Sequence, residues 1–320
     1  MIRKKREIII LLIVVILVSF FLLFNDILLG DKSKHIYKVS AIVRGENTES
    51  WAIVKQGIDQ AALEMNVDVS FITLSEENSF NEQIELLNRE INNGAEAILI
   101  SPADYDEMVE EIENVASKVP VVLIESTINT DKKIPYISCD NYKLGKVLAE
   151  ELIQMGNTRS KIAVIESGLG CSSIKERYNG FLDTIKTTKN TCTFLDLPLE
   201  GKSVYNQSKE LIEKNIYDVI VTFDAVTLEV FAQVKKDSYK ENIEIYGIGS
   251  TSKILSLLEE KIINSTAVQS EFNIGYLGMK AAVDMLTGKK VADSVIESTV
   301  VSVRNMYSEE NQRLLFPFIR

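Results

Sequence analysis

Beyond residue 36, short apolar runs alternate with amphipathic stretches, and this alternation limits the fold more than any other property of the chain. The runs Lys38–Val43, Val67–Leu74, Ala97–Ile100 and Val121–Ile124 have the length and composition of strands. The stretches between them, about 51–65, 79–92 and 105–117, have helical spacing. In the first, Ile53, Val54, Ile58, Ala61, Ala62 and Met65 share one face, while Lys55, Gln56, Asp59, Gln60 and Glu64 take the other. Asn93-Gly94 then supplies the residues that end a helix in a left-handed turn. Strand followed by amphipathic helix, repeated, predicts a parallel sheet covered by helical crossovers.

The same rhythm returns, with strands predicted at 161–165, 192–197, 219–223 and 244–248 and helices at 172–186, 203–214, 227–236 and 251–260. Two cycles of similar length imply an α/β protein with two doubly wound parallel-sheet lobes. Ligands of such sheets sit beyond the carboxyl ends of the strands, so two lobes face to face place a ligand cleft between them.

The first 30 residues follow a different logic. Arg3, Lys4, Lys5 and Arg6 precede seventeen residues, Ile8 to Phe24, in which only Ser19 is polar. That run reaches the lower end of what a membrane-spanning helix needs and exceeds the apolar core of most cleavable signals. No small-x-small pattern follows it, and the first cysteine is Cys139, far from any lipid-anchor position. We therefore expect residues 1–30 to be an uncleaved, single-pass membrane anchor, with 31–36 as a linker. The positive-inside rule puts the basic stub in the cytoplasm and the rest outside.

The first 35 residues hold six of the 35 basic and three of the 46 acidic side chains, so the remaining 285 carry about −14, against −11 for the whole chain. Such a surface repels phosphate backbones and argues against a nucleic-acid partner. The three cysteines, Cys139, Cys171 and Cys192, are 32 and 21 residues apart, without metal or redox spacing. The one histidine, His35, stands beside the expected anchor. A histidine-based triad or metal site in the folded part is thereby excluded, and no paired carboxylates stand at a catalytic spacing. We expect no enzyme, no cofactor and no metal. Gly168-Leu169-Gly170 resembles part of a dinucleotide loop but lacks the third glycine.

Several short motifs, taken in order, carry a resemblance. They are Gly57, Ile100-Ser101-Pro102, Asp140-Asn141 before a helix containing Gly145, the run Lys175-Glu176-Arg177-Tyr178-Asn179-Gly180-Phe181, and Thr222-Phe223-Asp224. Over roughly Tyr37 to Arg304 the chain resembles the type I periplasmic binding proteins of the ribose and galactose type. The resemblance implies that 37–139 plus 270–299 form lobe one and 140–269 plus 300–320 form lobe two, with a hinge of three crossings.

It also implies a ligand pocket at Arg44, Thr48, Ser50, Trp51, Ser101, Glu125, Ser126, Arg177, Phe223, Gly249 and Gln269. Arg177, Glu125 and Gln269 would grip adjacent hydroxyls, and Trp51 and Phe223 would offer aromatic faces. Arg177 is expected to fork onto ligand oxygens and to be dispensable for folding, provided its side chain lies at the cleft surface and no buried acid is left unpaired. Asp224 is expected to cap a helix. Gly249, Phe223 and Ser126 depart from the sugar receptors' acid, amide and arginine, which argues against ribose itself. The implied function is capture of a small carbohydrate, a monosaccharide, outside the membrane. The anchor favours signalling to a membrane partner such as a histidine kinase; the alternative is delivery to the permease of a sugar ABC importer.

Overall fold

The computed structural model describes residues 13–21, 35–197 and 201–316. Most of the expected anchor lies outside them; residues 13–21 are helical, and among the described residues no helix is long and apolar enough to cross a membrane. Residues 37–320 form a separate compact unit.

That unit is built on two six-stranded sheets. The first holds β1 (Tyr37–Ile42), β2 (Val67–Ile72), β3 (Ala97–Ile100), β4 (Val121–Ile124), β5 (Tyr136–Cys139) and β11 (Ser294–Ile296), ordered β2-β1-β3-β4-β5-β11. The second holds β6 (Lys161–Glu166), β7 (Thr191–Asp196), β8 (Val219–Val221), β9 (Glu244–Ile248), β10 (Ser265–Gln269) and β12 (Ser298–Ser302), ordered β7-β6-β8-β9-β10-β12. All pairings are parallel except β10 with β12. The central strands β3 (AILI) and β4 (VVLI) are buried at every position, as a sheet covered on both faces requires. At one edge of each sheet, β2 and β7 are only partly buried.

Helices α1 (Glu49–Met65), α2 (Phe80–Asn92) and α3 (Val109–Ala116) belong to the first lobe, together with α9 (Glu271–Leu286), which packs on α1, β3 and β4. The second lobe holds α4 (Asn141–Gln154), α5 (Ser172–Ile185), α6 (Gly201–Lys214), α7 (Ala225–Asp237), α8 (Ser252–Glu259) and α10 (Glu309–Leu315). The chain passes from one lobe to the other after β5, after β10 and between β11 and β12.

One helix pair in each lobe is packed backbone to backbone through glycines. A Cβ on Gly57 would lie 2.0 Å from the Phe272 carbonyl oxygen, and one on Gly275 2.0 Å from that of Val54. In the second lobe, a Cβ added to Gly145 or Gly180 would lie 1.8 or 1.9 Å from the carbonyl oxygen of Arg177 or Tyr142, respectively. The α4–α5 contact therefore sets the depth at which the Arg177 turn sits. The Gly168–Gly170 segment is part of the contact between lobes: the Tyr105 amide donates to the Gly170 carbonyl at 2.8 Å, and an added Cβ on Gly170 would meet Asp104.

Candidate ligand site between the lobes

Every strand that contributes to the site ends at the interlobe face, so short post-strand segments supply its residues. Arg44 follows β1, Glu125 follows β4, and Asp224 follows β8. Gly249 follows β9, and Gln269 ends β10. Thr48, Ser50 and Trp51 come from the start of α1, Glu271 and Ile274 from the start of α9, and Arg177 from α5. Together they line a cavity of about 70 Å³. One water needs roughly 10–15 Å³ of such space, so the cavity accommodates a small solute.

Glu125 is the electrostatic centre. It is buried, and its backbone is left-handed, with φ of 62°, a costly conformation for a residue with a side chain. Tyr136 and Ser138 hold that turn by donating to its carbonyl oxygen at 3.0 and 2.8 Å. The carboxylate accepts from Arg44 Nε and Nη2 at 2.9 and 3.2 Å, and from Arg177 Nη2 at 3.1 Å. Ser173 Oγ and Ser101 Oγ add bonds at 2.8 and 3.2 Å. Burial by itself would raise the Glu125 pKa; the Arg44 and Arg177 charges outweigh it and hold it at about 2. Since Arg44 belongs to the first lobe and Arg177 and Ser173 to the second, this carboxylate ties the lobes together. Further ties are Thr127 N to Ser172 Oγ at 2.7 Å and Ser252 N to Glu49 Oε1 at 3.0 Å.

Both guanidiniums are largely engaged by the protein. Arg44 Nη1 also donates to Asn78 Oδ1 at 2.8 Å and Glu77 Oε1 at 3.3 Å, and the guanidinium carbon lies 5.6 Å from the Trp51 ring centre. Arg177 gives Nε to Asn141 Oδ1 at 2.8 Å and Nη1 to the Phe223 carbonyl at 3.3 Å. The acceptors are in the opposite condition. Ser50 Oγ, Gln269 Oε1 and Glu271 Oε2 are buried on the cavity wall without a hydrogen-bond partner, a costly arrangement that a bound molecule can relieve.

Of the residues expected at the pocket, Arg44, Thr48, Ser50, Trp51, Glu125, Arg177, Gly249 and Gln269 line this cavity. Phe223 does not: it is 1 % exposed, and its ring packs edge-on against Tyr178 and Phe181, at 5.6 Å from each. The expectation that it offers an aromatic face to a ligand is corrected accordingly, since only its carbonyl reaches the site. Ser101 and Ser126 lie behind the Glu125 carboxylate, bonded to one another at 3.1 Å, with Ser126 Oγ donating to the Pro102 carbonyl at 2.7 Å. They support Glu125 and do not line the cavity. Arg177 is itself bonded to the buried Glu125, so the expectation that it is dispensable for folding rests on Arg44 alone keeping that acid paired.

Asp224 caps α7, accepting from the Thr227 amide at 2.8 Å, and lines the cavity as well. Glu77, Glu271 and the apolar wall of Val54, Ile248, Val268 and Ile274 were not anticipated. For Glu271, its place two residues past Gln269, at a crossing between lobes, was the only signal available. Among the described residues no group of His, Cys, Asp or Glu side chains is arranged to hold a metal ion.

A two-lobed α/β frame with a cavity at the strand ends, lined by unpartnered acceptors, defines a solute-binding clamshell. A family model described as "Periplasmic binding protein domain" matches residues 40–290, and the chain belongs to that family. The ribose import binding protein of Bacillus subtilis is 24 % identical over 266 residues, 82 % of this chain and 86 % of that protein. Among solved structures, a carbohydrate transporter solute-binding protein from Agrobacterium radiobacter, in complex with D-arabinose, superposes with a TM-score of 0.82 at 22 % identity, covering 88 % of this chain and all of that one. XylFII in the XylFII-LytSN complex gives 0.77 at 20 % identity, covering 85 % and 99 %. At these identities the solved structures speak to the fold.

Proposed function

We propose that this chain is an extracytoplasmic receptor that captures a small carbohydrate, of monosaccharide size, in the interlobe cavity without chemical change. The observation that carries this is the set of unpartnered buried atoms on the cavity wall, Ser50 Oγ, Gln269 Oε1 and Glu271 Oε2, beside the buried Trp51 ring. Hydroxyl groups of a sugar satisfy such acceptors, and its C–H face packs on an indole. The ribose import binding protein and the D-arabinose-bound solute-binding protein support the choice of ligand class. Ribose itself is disfavoured, since Gly249 brings no side-chain acceptor and Phe223 turns its ring away from the cavity.

Trp51 is the only tryptophan, so intrinsic emission reads out the cavity directly. The test is a screen of the purified full chain against monosaccharides, following Trp51 emission and melting temperature together. Binding to the folded state alone stabilises by RT ln(1 + [L]/Kd), about 2.7 kcal/mol at a hundredfold excess over Kd. A ligand should move both signals. A panel that moves neither at millimolar concentrations overturns the proposal.

We further take the receptor to be held at the cell membrane by its N-terminal segment and to report its closure to a membrane partner such as a histidine kinase. Four basic residues before a seventeen-residue apolar run support this over delivery to an ABC permease, and a similar chain, XylFII, has been solved in complex with LytSN. Intact mass of the chain extracted from membranes tests the anchor: loss of the first 25 or so residues would remove the basis for preferring a sensor.

A further inference from the structure

The charges around the cavity are unequal. Four carboxylates, Glu77, Glu125, Asp224 and Glu271, line it against two guanidiniums, Arg44 and Arg177. Both guanidiniums are spent on Glu125, and Arg44 serves Glu77 as well. Asp224 is satisfied by the Thr227 amide and hydroxyl, at 2.8 and 2.7 Å, and by Ser167 Oγ at 3.0 Å. Glu271 is left over. It is only 9 % exposed, and Oε2 has no partner.

A buried carboxylate without an ion pair is costly, and among the described residues no cation bonds to this one. Burial pushes the Glu271 carboxyl up to about 8, with Glu125 and Glu49 acting in the same direction. Arg177 and the nearby Ser50 hydroxyl oppose this, though the hydroxyl completes no hydrogen bond. An ammonium group on the ligand meets every part of this demand. It brings a positive charge that can pair with Glu271, and its N–H donors suit the two unpartnered carbonyl-type acceptors, Glu271 Oε2 and Gln269 Oε1, beside the Ser50 hydroxyl. A neutral hydroxyl brings one donor and no charge.

We infer that the cavity selects an amino sugar, a monosaccharide carrying a protonated primary amine, and that Glu271 is the residue that recognises the amine. This rests on the reading of the cavity as a carbohydrate site and narrows it to one chemical class. The remaining wall, Trp51 with the apolar Val54 and Ile274, faces the uncharged part of such a ligand.

The experiment is calorimetric titration of the full chain at pH 7 with D-glucosamine and D-galactosamine, each beside its neutral parent hexose and its N-acetyl derivative. The N-acetyl forms keep a substituent at the same carbon but remove the charge. At least one amine should bind ten times or more tighter than its parent and its N-acetyl form. Glu271→Gln, which is close to isosteric but cannot ionise to pair with an ammonium group, should abolish that preference while leaving the fold intact by circular dichroism. Two results overturn the inference and leave the carbohydrate reading standing: neutral hexoses binding as tightly as the amines, or Glu271→Gln weakening both kinds equally. If no monosaccharide of any kind binds, both fall together.

Discussion

The Glu125–Arg177 pair, which joins the two lobes, gives the most demanding test of the electrostatic account. Replacing Arg177 by methionine keeps most of the stem but removes the charge and three hydrogen bonds, to Asn141, the Phe223 carbonyl and Glu125. Glu125 is then buried with Arg44 as its only cation. Its carboxyl is held at about 2 in the folded chain against an ordinary 4.5. At about 1.4 kcal/mol per pH unit, the two guanidiniums and the hydroxyl donors together contribute about 3 kcal/mol. Breaking a buried pair from one side typically costs about 3 to 5 kcal/mol, so Arg177→Met should lose about 3. For a folded unit spanning 37–320, with an unfolding entropy of about 2.1 cal/mol/K per residue, that is a fall of roughly 5 °C in melting temperature.

Arg177→Met combined with Glu125→Gln should recover much of the loss, because an uncharged amide tolerates the site better than a half-paired carboxylate. The depressed pKa also fixes a pH window. The stabilisation is complete above about 4.5, where Glu125 would ionise in the unfolded chain, and disappears as pH falls through about 2. The parent should therefore lose stability over that interval, and Glu125→Gln should lack that share of the loss. The assay is thermal melting by circular dichroism, without ligand, from pH 7 down to pH 2. If Arg177→Met melts within about 2 °C of the parent at pH 7, the lobes of the free protein are not joined through Glu125 and the argument is refuted.

Two other outcomes follow from the geometry. Gly145→Ala sets a methyl 1.8 Å from the Arg177 carbonyl oxygen, so α4 and α5 must separate. It should cost about 1 to 3 kcal/mol and weaken ligand binding by displacing the Arg177 turn, both measurable by urea unfolding and titration. Glu271 runs opposite to Glu125: its folded pKa of about 8 lies above the ordinary 4.5, so the free protein is favoured at low pH and loses stability as pH rises toward 8. Glu271→Gln should accordingly melt higher than the parent at pH 8.5 in the absence of ligand, and melting curves should show the gap closing toward pH 5.

The sequence by itself determined the class of fold, because parallel strands buried on both faces must be short and apolar and their crossover helices must be amphipathic. AILI at 97–100 and VVLI at 121–124 are legible for that reason, and the Asp224 cap follows from local chemistry. The strands β5 (YISC), β10 (STAVQ) and β11 (SVI) carry mixed or very short patterns and are identified by the partners they pair with. The site divides in the same way. The family resemblance places Arg44, Glu125 and Gln269 at strand ends and Arg177 on a helix. Tertiary structure alone decided how each is used. The Phe223 ring turns into the core because Tyr178 and Phe181 of α5 pack against it. Arg177 pairs with an acid 52 residues away. Glu271, a helix-start glutamate indistinguishable in the sequence from a solvated one, becomes an unpaired buried carboxylate because α9 begins at the cavity wall. Charge and hydrogen-bond balance belong to the assembled cavity, whose members come from segments scattered between residues 44 and 274.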